Sequence, residues 1–437
     1  MKKNRNKNLT HEGANAAKIP PDQELRRSVM TCMLWEDGFY ESGILIADRI
    51  RQLIPAVEPH VVSGIAIEAR EKMNLRHIPL FIVREMARCP EHRKYVAQTL
   101  ARVIQRPDEL VYFLTLYWAE SKQPLSAKVK RGLALAFTKF DEYSLAKYNR
   151  SGQIKLRDVL FMCHAKPVDQ QQADLWKRLI EGRLEKPDTW EVALSAGGNK
   201  KDNWDRLLTE KKLGGLALLR NLRGMQKADV DEDKIIRAID EMKTERILPF
   251  RFIAAARHSP QLSDALERSM LKSLAIKEKL PGKTVFLVDV SGSMENPVSY
   301  RSDLTRMDAA CGLAILAREL CEDALVYSFS AKIARIPNKR GFALLDEILK
   351  SQNHTTTRLG ESVKWINKHV PCDRLIVFSD EQSADDVPNP KKKGYMINVA
   401  SFKNGVGYGA WTHIDGWSEA VFDFIIENEK FKVDQSI

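Results

Sequence analysis

The densest chemistry in the chain lies at Asp289-Val290-Ser291-Gly292-Ser293, where a carboxylate and two hydroxyls leave an apolar run on a glycine turn. Such a DxSxS group can present hard oxygen ligands to one face of Mg²⁺ or Mn²⁺, ions that favour six oxygens in an octahedral array. Two further stretches supply what one loop cannot. Thr355-Thr356-Thr357-Arg358-Leu359-Gly360 opens a helix and offers Thr357, and the run from Leu375 to Asp380 presents Asp380 at its end. DVSGS alone reads equally well as a strand-ending turn with a helix cap, but all three elements in order favour the metal. An ion with few protein charges around it stays electrophilic, so its sixth position accepts a carboxylate from a partner protein. No general base or nucleophile stands beside it, and binding rather than metal-assisted hydrolysis is the expected chemistry.

The elements that must position these residues follow Pro281-Gly282. Runs at 284–290, 324–330, 374–380 and 395–401 are short and rich in Val, Ile, Phe and Tyr, fit for strands buried on both faces. Helical segments at 306–321, 341–350 and 359–369 alternate with them, and another follows at 418–428. Alternation of this kind implies a doubly wound parallel sheet, with ligands at the carboxyl ends of its strands. Asp289, Ser291, Ser293, Thr357 and Asp380 occur in the order and context of the metal-ion-dependent adhesion site (MIDAS) of von Willebrand factor type A (vWA) domains, which residues 281–437 resemble over their full length. The sequence departs from that pattern in two places. Threonines precede Thr357 where the family often has Gly-Gly, and Glu381 follows Asp380 where a small residue is common. The added carboxylate either strengthens metal binding or occupies the open position.

From Pro21 to Leu280 the grammar is helical. Stretches such as 43–54, 61–73, 95–105, 131–140, 156–165 and 233–242 carry apolar residues at i, i+3, i+4 spacing, punctuated by Pro55, Pro79, Pro107, Pro124, Pro167 and Gly214-Gly215. At about 40 residues per unit this region makes six or seven stacked helical hairpins, a HEAT-like array. Between Lys122 and Arg157 nine basic residues (Lys122, Lys128, Lys130, Arg131, Lys139, Lys147, Arg150, Lys155 and Arg157) stand against Asp141 and Glu142. With Tyr143 and Tyr148 interleaved, such a stretch can neutralise phosphates and stack unpaired bases. A solvated helix face has the same charge pattern, and charge alone does not decide between them.

The text around this run does. Lys147-Tyr148-Asn149-Arg150, residues 156–167, 184–197 and 211–225 resemble the TROVE module of telomerase-associated, Ro and vault proteins, and residues 78–88 and 246–257 extend the match. Taken with the metal-site domain, almost the whole chain is similar to the Ro proteins of bacterial type. The resemblance implies a ring of helical repeats closed by the vWA-like domain. Small noncoding Y-like RNA would bind its outer basic surface, and the single-stranded 3′ ends of misfolded RNA its central hole. It carries His164, in Met162-Cys163-His164-Ala165-Lys166-Pro167, over as a Y RNA contact, and Lys139 and Arg150 more loosely. Met162 is a mild departure from that motif. Arg157 and Lys166 flank His164, and a lone histidine without such flanks would more often be a satisfied interhelical group. The family further implies a 3′-to-5′ exoribonuclease as partner.

Composition bounds the rest. The 437 residues are 44% hydrophobic and 29% charged, room for two or three packed units. The net charge of +11 is uneven, with 50 basic against 37 acidic residues in 1–280 and 19 against 21 in 281–437, so the helical part carries the basic excess. The sequence has neither an apolar run long enough to span a membrane nor an h-region after MKKNRNKNLT, and a cytoplasmic protein without a membrane partner is expected. Its six cysteines form no CxxC pair and read as reduced thiols. The expected organisation is a flexible basic terminus over 1–20, the TROVE helical repeats over 21–280 and the vWA-like domain over 281–437. The leading functional reading is a non-enzymatic RNA-binding ribonucleoprotein component in noncoding RNA quality control or processing. The alternative is a metal-dependent protein-binding scaffold without RNA. An enzyme reading lacks a P-loop or a nucleophile pair, since Cys163 and His164 face different directions on a helix.

Overall fold

A computed structural model describes residues 9–10, 12–16, 19–30, 43–149, 152–244, 247, 249–274, 279–298, 303–400, 402, 404–416, 421–422, 424–426 and 428–429. The chain divides into two units, one of residues 20–34 and 44–196, the other of 1–19, 35–43 and 197–437.

The first unit is built from α1 (Pro21–Met30), α2 (Gly43–Leu53), α3 (Pro59–Glu71), α4 (His77–Arg88), α5 (Arg93–Val103), α6 (Pro107–Tyr117), α7 (Ala127–Phe137), α8 (Glu142–Tyr148), α9 (Leu156–Cys163), α10 (Gln170–Glu181) and α11 (Trp190–Ser195). Local chemistry sets their ends. Pro59 and Pro107 occupy first-turn positions, where a missing N–H costs nothing, and Ser126, Asp141 and Asp169 accept hydrogen bonds from the first turns of α7, α8 and α10. Gly182 closes α10 in the left-handed region at φ +70°. Helices neighbouring in sequence, or one apart, pack together, α3 on α4 and α5, α5 on α7, α7 on α9, as stacked hairpins do. One apolar cluster runs through them, from Leu25 through Phe81 and Phe113 to Phe137 and Trp176. Charge is buried as well: Glu109, fully enclosed, accepts from Arg70 Nη2 at 2.9 Å, Arg76 Nε at 3.3 Å and the backbone N–H of Gln105 at 2.8 Å, tying α3 to α6.

The second unit opens with α12 (Lys200–Thr209), α13 (Gly215–Lys227), α14 (Glu232–Glu241), α15 (Pro249–His258) and α16 (Ser263–Leu274), then turns to the sheet. There β1 (Leu280–Asp289), α17 (Arg306–Glu319), β2 (Cys321–Phe329), β3 (Ile333–Arg335), α18 (Gly341–Lys350), α19 (Leu359–His369), β4 (Arg374–Ser379), β5 (Lys393–Asn398) and β6 (Trp411–Asp415) follow. The strand order is β3-β2-β1-β4-β5-β6, parallel throughout except the antiparallel β2–β3 pair. This is the doubly wound sheet expected from the alternation. β4 is buried at every position, as the apolar run of its residues 375–378 requires. The edge strands β3 and β6 are largely half-buried and lack such a run, so no continuous apolar text marks them in the sequence.

Helix α17 is buried on nearly all sides because it lies between the sheet and α15. A Cβ on Gly312 would stand 3.2 Å from the backbone nitrogen of Phe250, so glycine is what lets these two helices approach. Arg257 of α15 grips Asp308 of α17 through both guanidinium nitrogens. The stretch 200–274, helical like the first unit, thus shares its compact unit with the sheet.

The described part of the expected flexible terminus is docked. Thr10 Oγ1 donates to Ser383 O at 2.7 Å, Asn404 Nδ2 donates to Leu9 O at 2.9 Å, and Leu9 and Asn15 form an antiparallel bridge. Ala14 joins the apolar cluster of Val285, Leu287 and Val377. These two hydrogen bonds, a longer one from Asn15 Nδ2 to Asp386 Oδ1 at 3.4 Å and a small apolar residue hold this segment, a signal too short to separate from a charged tail by composition.

Candidate metal centre and nucleic-acid interface

The geometry of the candidate metal site follows from strand register. β1 and β4 are parallel neighbours with Val288 opposite Phe378, so the next residues, Asp289 and Ser379, leave the sheet side by side. Ser379 Oγ donates to Asp289 Oδ2 at 2.6 Å, and the backbone N–H of Ser291 donates to Oδ1 at 2.9 Å. From there the polar chain continues. Ser291 Oγ lies 3.3 Å from Ser293 Oγ, which donates to Asp380 Oδ2 at 2.7 Å. Asp289, Ser291 and Asp380 are fully buried. The third loop is joined by Gly292 N–H, which donates to Thr355 O at 2.9 Å, and by Thr357, buried, whose carbonyl accepts from Ala384 N–H at 2.8 Å.

Helix α19 is held behind this loop by an acidic cap: Asp385 accepts from the N–H groups of Gly360 at 2.9 Å and Glu361 at 2.6 Å. The structure therefore gathers Asp289, Ser291, Ser293 and Asp380 into one hydrogen-bonded cluster, with Thr357 on the adjoining loop.

The electrostatics of this cluster suit a cation. Burial, then the Asp380 carboxylate, push Asp289 up to about 7, against the hydrogen bonds from Ser291 and Ser379. Arg306 Nη1 stands 3.7 Å from Asp380 Oδ2 and offsets one carboxylate. Among the described residues no cationic side chain makes an ion pair with Asp289. Two enclosed carboxylates, two hydroxyls and one nearby guanidinium fit a hard divalent ion, which would relieve the charge that burial leaves exposed to its like. Ser379 and Arg306 were not among the expected residues, although Ser379 is legible as the residue before Asp380. Glu381, at φ +59°, is fully buried and its Oε1 meets His413 Nδ1 at 2.9 Å, so that carboxylate faces β6.

The basic residues of the helical unit fall into three settings. His164 ends α9 in the left-handed region at φ +53°, a conformation that costs a non-glycine residue about 1–2 kcal/mol. Its exposed side chain, half-buried Lys130 and exposed Lys122 line a cavity of about 480 Å³ with Trp118 and Met162. Lys147 belongs to a second group: its Nζ lies 5.8 Å from the rings of both Tyr143 and Tyr148, and Arg106 stacks over Tyr148 at 4.3 Å. Exposed Lys155 and Arg157 stand at the start of α9, an eight-residue helix, so about 12 Å of helix separates them from His164.

Lys139 has a different setting. Its ammonium donates to the carbonyls of Ala101 and Ile104 at the end of α5, and burial lowers its pKa although part of the side chain stays exposed. Arg131 and Lys166 are exposed, and Arg150 lies outside the described residues.

Residues 177–308 match the family model of the TROVE domain. Telomerase protein component 1 of Rattus norvegicus is 21% identical over 442 residues, covering 78% of this chain and 16% of that protein. The Mus musculus protein of the same name is 21% identical over 445 residues, covering 79% and 16%. This chain therefore spans about a sixth of the curated relatives it matches. Among solved structures, the Deinococcus radiodurans RO (RSR) protein superposes with a TM-score of 0.61 at 17% identity, over 91% of this chain and 97% of that one. These matches bear out the resemblance to TROVE-domain proteins and the fold class, helical repeats with a vWA-like sheet.

Proposed function

We propose that this chain is an RNA-binding ribonucleoprotein component of the cytoplasm that carries a divalent-cation site for a protein ligand. One observation supports the RNA reading above the rest: cationic side chains and aromatic rings lie together, exposed or half-buried, on the helical unit, at Lys147 with Tyr143 and at Lys130 with Trp118 beside His164. Phosphates meet lysine and arginine there, which gives affinity and register, while unpaired bases meet rings, which gives selectivity. In its finer form the reading assigns Y-like small noncoding RNA to the outer basic surface and single-stranded 3′ ends of misfolded RNA to a central hole, in quality control or processing. A 3′-to-5′ exoribonuclease is the partner such a role calls for.

At the sheet, Asp289, Ser291, Ser293, Thr357 and Asp380 would hold Mg²⁺ or Mn²⁺. The ion when bound supplies an open coordination position for a carboxylate of a protein ligand. The residues' own part is to fix that position at the strand ends, with Arg306 offsetting Asp380 and α19 backing the threonine loop. The test of the RNA reading is binding of a small structured RNA across a salt series. The expected result is an affinity that falls steeply and linearly on a log–log scale, with a slope lowered in Lys147→Gln and Arg157→Gln variants. Binding that is absent at low salt would favour the scaffold alternative, which rests on the metal cluster alone.

A further inference from the structure

The segment from Leu9 to Asn15 is anchored on the loop that follows β4, which begins with Asp380. Thr10 is buried, and its hydroxyl is used twice: it accepts from Ala14 N–H at 3.0 Å, closing the segment on itself, and it donates to Ser383 O at 2.7 Å. Ser383 is in turn a junction. Its hydroxyl accepts from Leu359 N–H at 3.2 Å and donates to Asp385 Oδ1 at 2.6 Å, and the next residue, Ala384, donates its N–H to Thr357 O at 2.8 Å. A second route leaves from Leu9, whose carbonyl accepts from Asn404 Nδ2 at 2.9 Å. Asn404 O accepts from buried Gln382 Nε2 at 2.8 Å, and Gln382 N–H donates to Asp380 Oδ1 at 3.2 Å. Asn15 Nδ2 adds a contact to Asp386 Oδ1 at 3.4 Å, and Ala14 belongs to the same apolar cluster as Leu359 and Val363 of α19.

Thr357 and Asp380 are thus tied to the N-terminal segment through short chains of hydrogen bonds. The loop between them has little room to absorb a change at Ser383, because it is packed on the start of α19, where a Cβ on Gly360 would stand 2.1 Å from Asp386 O. We propose that Thr10 is a positioning residue for the metal centre: docked, the segment fixes the loop that sets Asp380 and Thr357, and undocked, it leaves them too loose for a small ion. Mg²⁺ demands near-ideal octahedral geometry, so it responds to slight displacement of its ligands. The coupling is reciprocal by linkage, and a bound ion holds the segment in place by the same factor as the segment tightens the ion. This inference rests on the metal reading of the cluster and adds to it a control from the far end of the chain.

The experiment uses the full chain and Mg²⁺ alone. Titration of wild type, Thr10→Val, Thr10→Ser and Asp289→Asn gives the affinity, and amide exchange with and without Mg²⁺ gives the protection of Thr10, Gly13 and Ala14, whose N–H groups are bonded within the segment. Binding is expected to be about ten-fold weaker in Thr10→Val, the effect of losing a residue that supports a metal ligand, within about two-fold of wild type in Thr10→Ser, and absent in Asp289→Asn. Exchange in the wild-type segment should slow about ten-fold when the ion is bound. A Thr10 that serves stability alone would lower the Tm of Thr10→Val in EDTA and leave its Mg²⁺ affinity unchanged, which would overturn the proposal while the metal centre stood. The exchange comparison uses wild-type protein and decides even if Thr10→Val fails to fold: equal protection with and without Mg²⁺ overturns the proposal. No Mg²⁺ binding in wild type, or equal binding in Asp289→Asn, would overturn the metal reading and this inference with it.

Discussion

Replacing Asp289 with asparagine separates the two roles its carboxylate has, as a candidate ligand and as a buried charge. Without a divalent ion, the wild-type protein at pH 8 holds Asp289 ionised in a dry cluster beside Asp380. A rise from 3.8 to about 7 corresponds to a penalty of about 4 kcal/mol on the charged form. The amide can keep both contacts: its oxygen accepts from Ser291 N–H, and its Nδ2 donates to Ser379 Oγ, whose hydroxyl turns away. The Ser379 hydroxyl, turned from its acceptor, takes back about 2 kcal/mol, the cost of one unsatisfied buried donor, which leaves about 2 kcal/mol of net stabilisation. For a unit of this size that is a rise in Tm of about 4–8 °C. Scanning calorimetry in EDTA should therefore show Asp289→Asn melting above wild type. Saturating Mg²⁺ at about 100 times its Kd should stabilise wild type by about 2.7 kcal/mol and the variant hardly at all. If both proteins gain equally from Mg²⁺, the ion binds elsewhere. If the variant melts lower in EDTA, the carboxylate pair is not a source of strain, and the electrostatic argument for a cation there fails.

Other consequences can be measured directly. Glu109→Ala leaves the buried Arg70 without its carboxylate and should cost about 3–5 kcal/mol in urea unfolding, whereas loss below about 1 kcal/mol would mean the pair is not enclosed. Gly360→Ala places a Cβ 2.1 Å from Asp386 O, so the start of α19 must shift, and the Mg²⁺-dependent rise in Tm should shrink while the fold persists. Glu429 is pulled upward by burial, but hydrogen bonds from Arg374 and Lys393 prevail and hold it below the usual glutamate range. A depressed folded value means stability present above the unfolded value and lost as pH falls through the folded one. Glu429→Gln should therefore melt lower at pH 7 and show a shallower acid decline below about pH 4; an unchanged decline would remove Glu429 from the account.

The cluster of Asp289, Ser291, Ser293 and Asp380 was legible because its residues sit in strand-end text, where parallel pairing brings sequence-distant tips together by rule. Asp289 and Asp380 needed only the inference that their strands are neighbours. Arg306 was not legible, since its approach to Asp380 depends on the start of α17 rather than on any motif. The helical unit shows the opposite limit. Lys139 reads as one more cation in a basic run, but its long side chain reaches the free carbonyls that end α5, a contact set by the packing of α7 on α5. Strands β3 and β6 escaped notice because edge strands do not need the continuous apolar text of buried ones. Glu381 was read as a neighbour of the ion, and the left-handed turn at that residue sends its carboxylate toward His413 instead.

The shared unit formed by α12–α16 and the sheet bears on how this protein can be dissected. A fragment beginning at the first strand would shed α15 and α16, strip the apolar flank of α17 and leave Asp308 without Arg257. Such a fragment is an aggregation hazard, whatever its ion affinity. An excised fragment that carries the sheet should begin near residue 197, and supplying residues 9–16 as a separate peptide should stabilise it by complementation.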